Sequence, residues 1–182
     1  MAKMKKDSLK SIIVITVICL VIAALMAAIN MVTAPMIAEA NAKAQKEALF
    51  LVVDGAHDFL EVEAEEGALP ESVTAVYRET TKKGYAVMLK AKGYDSSNPM
   101  VIAVGIDNDG KITKCHVVSC SGETSGIGTK VSSDGFLSLF AGKDRALDGV
   151  DAISGATISS TAFIDAVEDA FTAYKYAKEA AE

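Results

Sequence analysis

The stretch DAISGATISSTAF, residues 151–163, places five hydroxyl side chains in thirteen residues where an apolar helical pattern begins. Ser154 and Thr157 stand just ahead of that pattern, with Gly155 and Ala156 between them. One Ser or Thr suffices to cap a helix: it accepts one of the first N–H groups, which have no partner inside the helix, and contributes about 1 kcal/mol. Capping accounts for Ser154 or Thr157 alone. It does not account for Gly155-Ala156, which trims bulk beside the hydroxyls. A helix N-terminus carries roughly half a positive charge, and small residues next to it make room for a phosphate. These residue types point to a phosphorylated ligand at the turn, without saying which ligand or whether the bond is covalent.

A second stretch, SGETSGIGTK (121–130), has three glycines within seven residues and hydroxyls at Thr124, Ser125 and Thr129. Glycines at this density serve a tight turn or a close backbone approach to a ligand. Successive N–H groups in such a loop can form an anion-binding nest. A plain surface connection after a strand has the same composition.

Other chemistries lack their residues. In Gly122-Glu123-Thr124-Ser125-Gly126 the serine falls one place late for a G-x-S-x-G elbow. Gly110-Lys111 and Gly142-Lys143 are followed by Ile and Asp, so no phosphate-binding P-loop is present. Gly126-Ile127-Gly128 lacks the third glycine of a dinucleotide fingerprint. No His or carboxylate pair has metal-ligand spacing, and Cys115, His116 and Cys120 fit no standard zinc pattern.

The elements that must position these stretches follow from periodicity. Residues 73–80, 84–94, 100–107 and 111–119 alternate with period two and read as four strands. Lys82-Lys83-Gly84 and Asn108-Asp109-Gly110 supply turns, the latter closing a hairpin. A short helix is expected near 136–140. A final helix, about 158–179, carries Phe163, Ala166, Val167, Ala170, Phe171 and Tyr174 on one stripe. Residues 61–72, EVEAEEGALPES, read as an exposed acidic loop. Cys115 and Cys120, five apart, would lie on opposite faces of a straight strand, so two thiols are expected rather than a disulfide.

The N-terminal part differs. Residues 11–34 run 24 residues without a charge. As a helix they reach roughly 36 Å, enough for a hydrocarbon core of roughly 30 Å. A cleaved signal peptide is the rival reading, but its apolar region is usually only about 7–15 residues. A lipoprotein signal needs a small residue before its cysteine, and Cys19 follows Ile18. The segment therefore reads as a retained anchor. Lys3, Lys5, Lys6 and Lys10 precede it against a single Asp7, which places residues 1–10 in the cytoplasm and residues 35–182 outside the cytoplasmic membrane. Pro35 can open a new helix at its first turn, and residues 35–53 then form a stalk of good helix formers leading away from the bilayer. The chain carries a net −6, with +3 in its first ten residues and −9 in the remainder. So acidic an exterior part is a poor nucleic-acid binder, since phosphate contacts supply most of that affinity. The fold class is α+β: one transmembrane helix, then a domain with an antiparallel sheet and packing helices.

Asp151-Ala152-Ile153-Ser154-Gly155-Ala156-Thr157 fills every specified position of D-x-x-[S/T]-G-A-T, the motif at which flavin transferases attach FMN by a phosphoester bond to the last threonine. Glu123-Thr124-Ser125-Gly126-Ile127-Gly128 resembles a second element, E-T-P-G-[LIM]-G, which lies beside the flavin. Ser125 replaces the proline and leaves a less rigid turn with both glycines kept. The order of anchor, helix, sheet, glycine loop and threonine site before a last helix also matches. Over essentially its whole length the chain resembles the FMN-binding G subunits of Rnf complexes, the ion-pumping ferredoxin:NAD oxidoreductases. The C subunits of sodium-pumping NADH:quinone oxidoreductases are similar but usually longer.

The resemblance implies covalent FMN on Thr157, a phosphate pocket shaped by Ser154, Gly155 and Ala156, and a flavin side lined by Glu123, Thr124, Gly126, Ile127 and Gly128. Asp151 would be read by the transferase, which uses magnesium and FAD. The implied role is a membrane-anchored electron carrier among other integral membrane subunits of a translocase. The alternatives are a stand-alone anchored flavin reductase, a component of the sodium-pumping quinone enzyme, and an anchored binding module with no cofactor. Bound flavin that survives denaturation separates the last from the others.

Overall fold

The computed structural model describes residues 6–65, 67–81 and 83–180. Lys3 and Lys5 of the basic cluster and Lys82 of the expected turn lie outside them. The chain divides into two compact units, residues 1–43 and 44–182.

The first unit holds most of a single helix, α1 (Lys6–Val52). From Leu9 onward it is long and apolar enough to cross a membrane, and the most apolar stretch is wholly unburied. Leu20, Met26, Ile29 and Met31 are all more than half exposed. Such a surface fits a single-pass membrane helix. The expected break at Pro35 is absent: Pro35 lies inside α1. Proline removes one N–H from the ladder, a loss that membrane helices tolerate better than soluble ones.

The second unit is a five-stranded antiparallel meander, β1 (Phe59–Glu61), β2 (Val73–Glu79), β3 (Tyr85–Ala91), β4 (Met100–Ile106) and β5 (Ile112–Ser119), in sequential order. The four expected strands are present with boundaries shifted by up to three residues. β1 lies where the exposed loop was expected to begin, pairing Phe59 with Glu79 and Glu61 with Tyr77. Beyond it, Val62 and Leu69 pack on the core, so the acidic stretch is only partly a solvated loop.

Alternation along β3 and β4 serves two cores. Val87, Leu89, Met100, Ile102 and Val104 face one side, where α3 (Thr157–Glu179) lays its apolar stripe. Ala86, Met88 and Ala103 face the other, where Ala48, Leu49, Val52 and Val53 cover them. The last turns of α1 are therefore not a stalk leading away; they are a wall of the domain. Gly105 permits the close approach: a Cβ there would stand 2.0 Å from the Val52 carbonyl oxygen. The Thr113 hydroxyl donates to that same oxygen.

Between β5 and α3 come a 3-10 turn (Gly128–Ser132), the single-turn α2 (Asp134–Leu137) and another 3-10 turn (Ser138–Phe140). They deliver Phe136 and Phe140 against Phe163 of α3, with ring centroids 5.2–5.4 Å apart. Every member of the expected α3 stripe is buried. Cys115 and Cys120 are free thiols, but they do not face opposite sides. The β4–β5 register shifts between Val101↔Ser119 and Ile102↔Val117, which resets the alternation, and both residues pack on the α3-side core. Burial pushes the Cys115 thiol far above its ordinary range.

Glu79 closes the β2–β3 turn from inside. Its buried carboxylate accepts the Thr81 hydroxyl at 2.6 Å and the N–H groups of Thr81, Lys83 and His57 at 2.8, 3.1 and 3.1 Å. Burial alone would raise its pKa, but these four donors outweigh it and hold the group at about 2, against an ordinary 4.5. A carboxylate depressed by folding stabilises above its unfolded pKa and loses that contribution as pH falls through its folded one. In urea unfolding, the stability of Glu79→Gln should therefore trail that of the wild type at pH 6, and the gap should close between about pH 4.5 and 2. A gap constant across that window would refute the assignment.

Candidate functional site

The glycine loop and the D-x-x-S-G-A-T turn, about thirty residues apart in sequence, meet in one cavity. It has a volume of about 480 Å³, within the usual range for small-molecule pockets, and is lined by Tyr94, Thr124, Ile127, Gly128, Gly155, Ala156, Thr157, Ile158 and Ser159. Thr124, Ile127 and Gly128 come from the glycine loop, and Gly155, Ala156 and Thr157 from the turn that leads into α3. Ser154 and Asp151 are exposed and outside this lining. Gly126, also outside it, is held at φ +73°, where a side chain would be strained. Glu123 is buried behind the wall, outside the lining.

The hydroxyl-rich turn divides its labour. Gly155 adopts φ +81° with open space where a Cβ would point, so glycine is there for the backbone conformation. α3 starts at Thr157 after Ala156, and among the described residues no side chain caps it. The expected capping role of Ser154 or Thr157 is not what the turn uses. Ser160 braces the turn from within the helix: its hydroxyl donates to the Ala156 carbonyl at 2.9 Å and accepts the Ile153 N–H at 3.0 Å. The Ser159 hydroxyl donates to Glu123. Thr157 is exposed at the cavity rim.

The first-turn N–H groups of Thr157, Ile158 and Ser159 have no acceptor inside the helix, and no acidic side chain lies in that turn. This end of the cavity suits an anion. The opposite character comes from three exposed apolar side chains on the lining, Tyr94 at 68%, Ile127 at 48% and Ile158 at 61% exposure. An amphipathic ligand with a flat apolar body and a terminal phosphate fits this donor and apolar set, and FMN is such a ligand.

Three contributors escaped sequence reasoning. Tyr94 follows a strand and carries no motif. Ile158 reads as an ordinary helix residue, and Ser159 as one more hydroxyl. Their signal is positional: Ile158 and Ser159 directly follow Thr157, so a helix starting at 157 brings them into the same turn.

Residues 93–172 match the FMN-binding domain family. Over 168 residues the chain is 27% identical to the G subunit of the proton-translocating ferredoxin:NAD(+) oxidoreductase complex of Clostridium ljungdahlii, covering 86% of this chain and 85% of the relative. It is 33% identical over 189 residues to the G subunit of the ion-translocating oxidoreductase complex of Methanosarcina acetivorans, covering 91% and 93%. With the cavity uniting both motifs and a match running nearly end to end, the chain belongs to the G-subunit family of ion-translocating oxidoreductase complexes and contains that family's FMN-binding domain.

Proposed function

We propose that this chain is a single-pass electron-transfer subunit of an ion-translocating ferredoxin:NAD oxidoreductase, carrying FMN esterified to Thr157. The observation that carries this reading is the exposed Thr157 hydroxyl group at the uncapped start of α3, on the rim of a cavity shared with the glycine loop. The helix N-terminus would hold the phosphate, Gly155 and Ala156 would leave it room, and Tyr94, Ile127 and Ile158 would flank the ring system. Ser154 would shape the turn from outside the lining, and Asp151, exposed ahead of it, would be read by the transferase. In maturation the Thr157 oxygen bonds to the FMN phosphorus of FAD, AMP leaves, and the hydroxyl proton is released. Bound FMN supplies the redox chemistry, while the protein's part is placement and exclusion of alternatives.

Residues 1–10 would lie in the cytoplasm, 11–34 in the bilayer and 35–182 outside it, beside the other membrane subunits of the complex. A covalent tether suits that side, where no cytoplasmic FMN pool replaces a lost cofactor. The test is intact mass and peptide mapping of the full chain, purified from membranes after co-expression with a flavin transferase. An FMN-sized addition is expected on the peptide containing Thr157. An unmodified peptide, or an addition mapped to Ser154, would overturn the assignment.

A further inference from the structure

The cavity wall comes from three separate stretches: Tyr94 after β3, the glycine loop, and the first turn of α3. One buried carboxylate reaches all three from behind. Glu123, 7% exposed, accepts the Tyr94 N–H at 3.1 Å on Oε1 and the Ser159 hydroxyl on Oε2. Two glycines make way for it. A Cβ at Gly93 would stand 2.0 Å from Oε1, and a Cβ at Gly128 would stand 2.7 Å from both Oε2 and the Ser159 oxygen.

We infer that Glu123 is a positioning residue of the flavin site, acting through Ser159 and Tyr94 to fix how the Thr157 hydroxyl is presented. The inference rests on the flavin reading of the cavity. Ser159 is the third residue of α3, two places after Thr157, so its tie to Glu123 sets the rotation of the helix's first turn against the glycine loop. The tie to Tyr94 sets the facing wall. Hydrogen bonds to a charged acceptor are short and directional, which suits them to holding geometry.

The test uses the full chain in membranes with a flavin transferase and follows the rate of attachment by mapping the 157-containing peptide. Glu123→Ala should slow attachment at Thr157 by roughly a hundredfold, the scale of a 1 Å misplacement. Glu123→Gln, which keeps the shape and one acceptor oxygen, should recover most of the rate. Ser159→Ala should slow attachment, and the double variant Glu123→Ala/Ser159→Ala should be no slower than Glu123→Ala. A second readout needs no flavin: amide exchange of Tyr94 in the apoprotein should accelerate in Glu123→Ala while amides of β3 and β4 stay protected. Wild-type attachment rates in Glu123→Ala, additive effects in the double variant, or exchange accelerating throughout the sheet would each overturn the proposal. A wild-type chain that never takes up flavin overturns the parent reading instead, and the Tyr94 exchange result tells the two failures apart.

Discussion

Thr157→Ala, co-expressed with a transferase, should yield a folded protein with no covalent flavin at all. Thr157 is exposed and caps nothing, so its removal should change stability by no more than about 0.5 kcal/mol, as for other surface substitutions. On the proposed assignment the loss should be all-or-none, because the oxygen that would form the ester is gone. Thr157→Ser keeps an oxygen at the same backbone position and should retain attachment at a reduced rate. Ser154→Ala should load normally, since Ser154 lies outside the cavity lining. The measurement is flavin fluorescence of the denatured band, with thermal unfolding as the control for folding. A fluorescent Thr157→Ala band, or a dark Ser154→Ala band, would contradict the assignment of the ester.

Phe163→Ala should be the most destabilising of the single core changes. Phe163 is fully buried and touches both Phe136 and Phe140, at centroid distances of 5.4 and 5.3 Å. Deleting a buried Phe side chain costs about 3–5 kcal/mol, from lost transfer energy and the void left behind. That is a large part of the roughly 5–15 kcal/mol that holds a domain folded. Phe163 also lies less than two turns from Thr157, and its two partners belong to the segment leading out of the glycine loop. Loosening this cluster should therefore free both sides of the cavity together. Urea unfolding of the detergent-solubilised chain should show a markedly lower midpoint with an unchanged slope. A midpoint within error of the wild type would show that the cluster collapses around the gap.

The sheet was legible because β2 to β5 are short runs rich in strand-forming residues and bounded by Gly and Asp turns, although β3 and β4 are buried along both faces. The start of α3 was legible because its motif lies in consecutive residues. β1 was not: three residues, Phe59–Glu61, offer no period, and acidic residues follow directly. The docking of α1 was hidden for the opposite reason. Ala48, Leu49, Val52 and Val53 continue a helix that is already apolar, so nothing in their types marks a change of environment. In the site, both motif loops were readable and their meeting was expected from resemblance. The Glu123–Ser159 bond spans 36 residues and joins the glycine loop to the first turn of α3, just past a motif that reads as self-contained. Glu123 read as a flavin contact because it belongs to the glycine-loop motif; its place behind the cavity wall follows from Gly93 and Gly128, whose missing side chains leave room for it.

β3 and β4, clad by α1 on one side and α3 on the other, lack the safeguard that most antiparallel strands possess. A strand with one wet face cannot slip by a residue without turning its apolar side chains into water. YAVMLKA and MVIAVGI are apolar on both faces, so hydrophobicity alone hardly distinguishes the true alignment from a shifted one. Alignment must instead be locked by unique shapes: Gly105 beneath the Val52 carbonyl, Gly84 with 2.7 Å between its would-be Cβ and the Ile106 oxygen, and Asp107 gathering the N–H groups of Asp109 and Lys111. Tyr94 follows β3 by three residues, so these small steric keys, remote from the cavity, determine where its aromatic wall comes to rest.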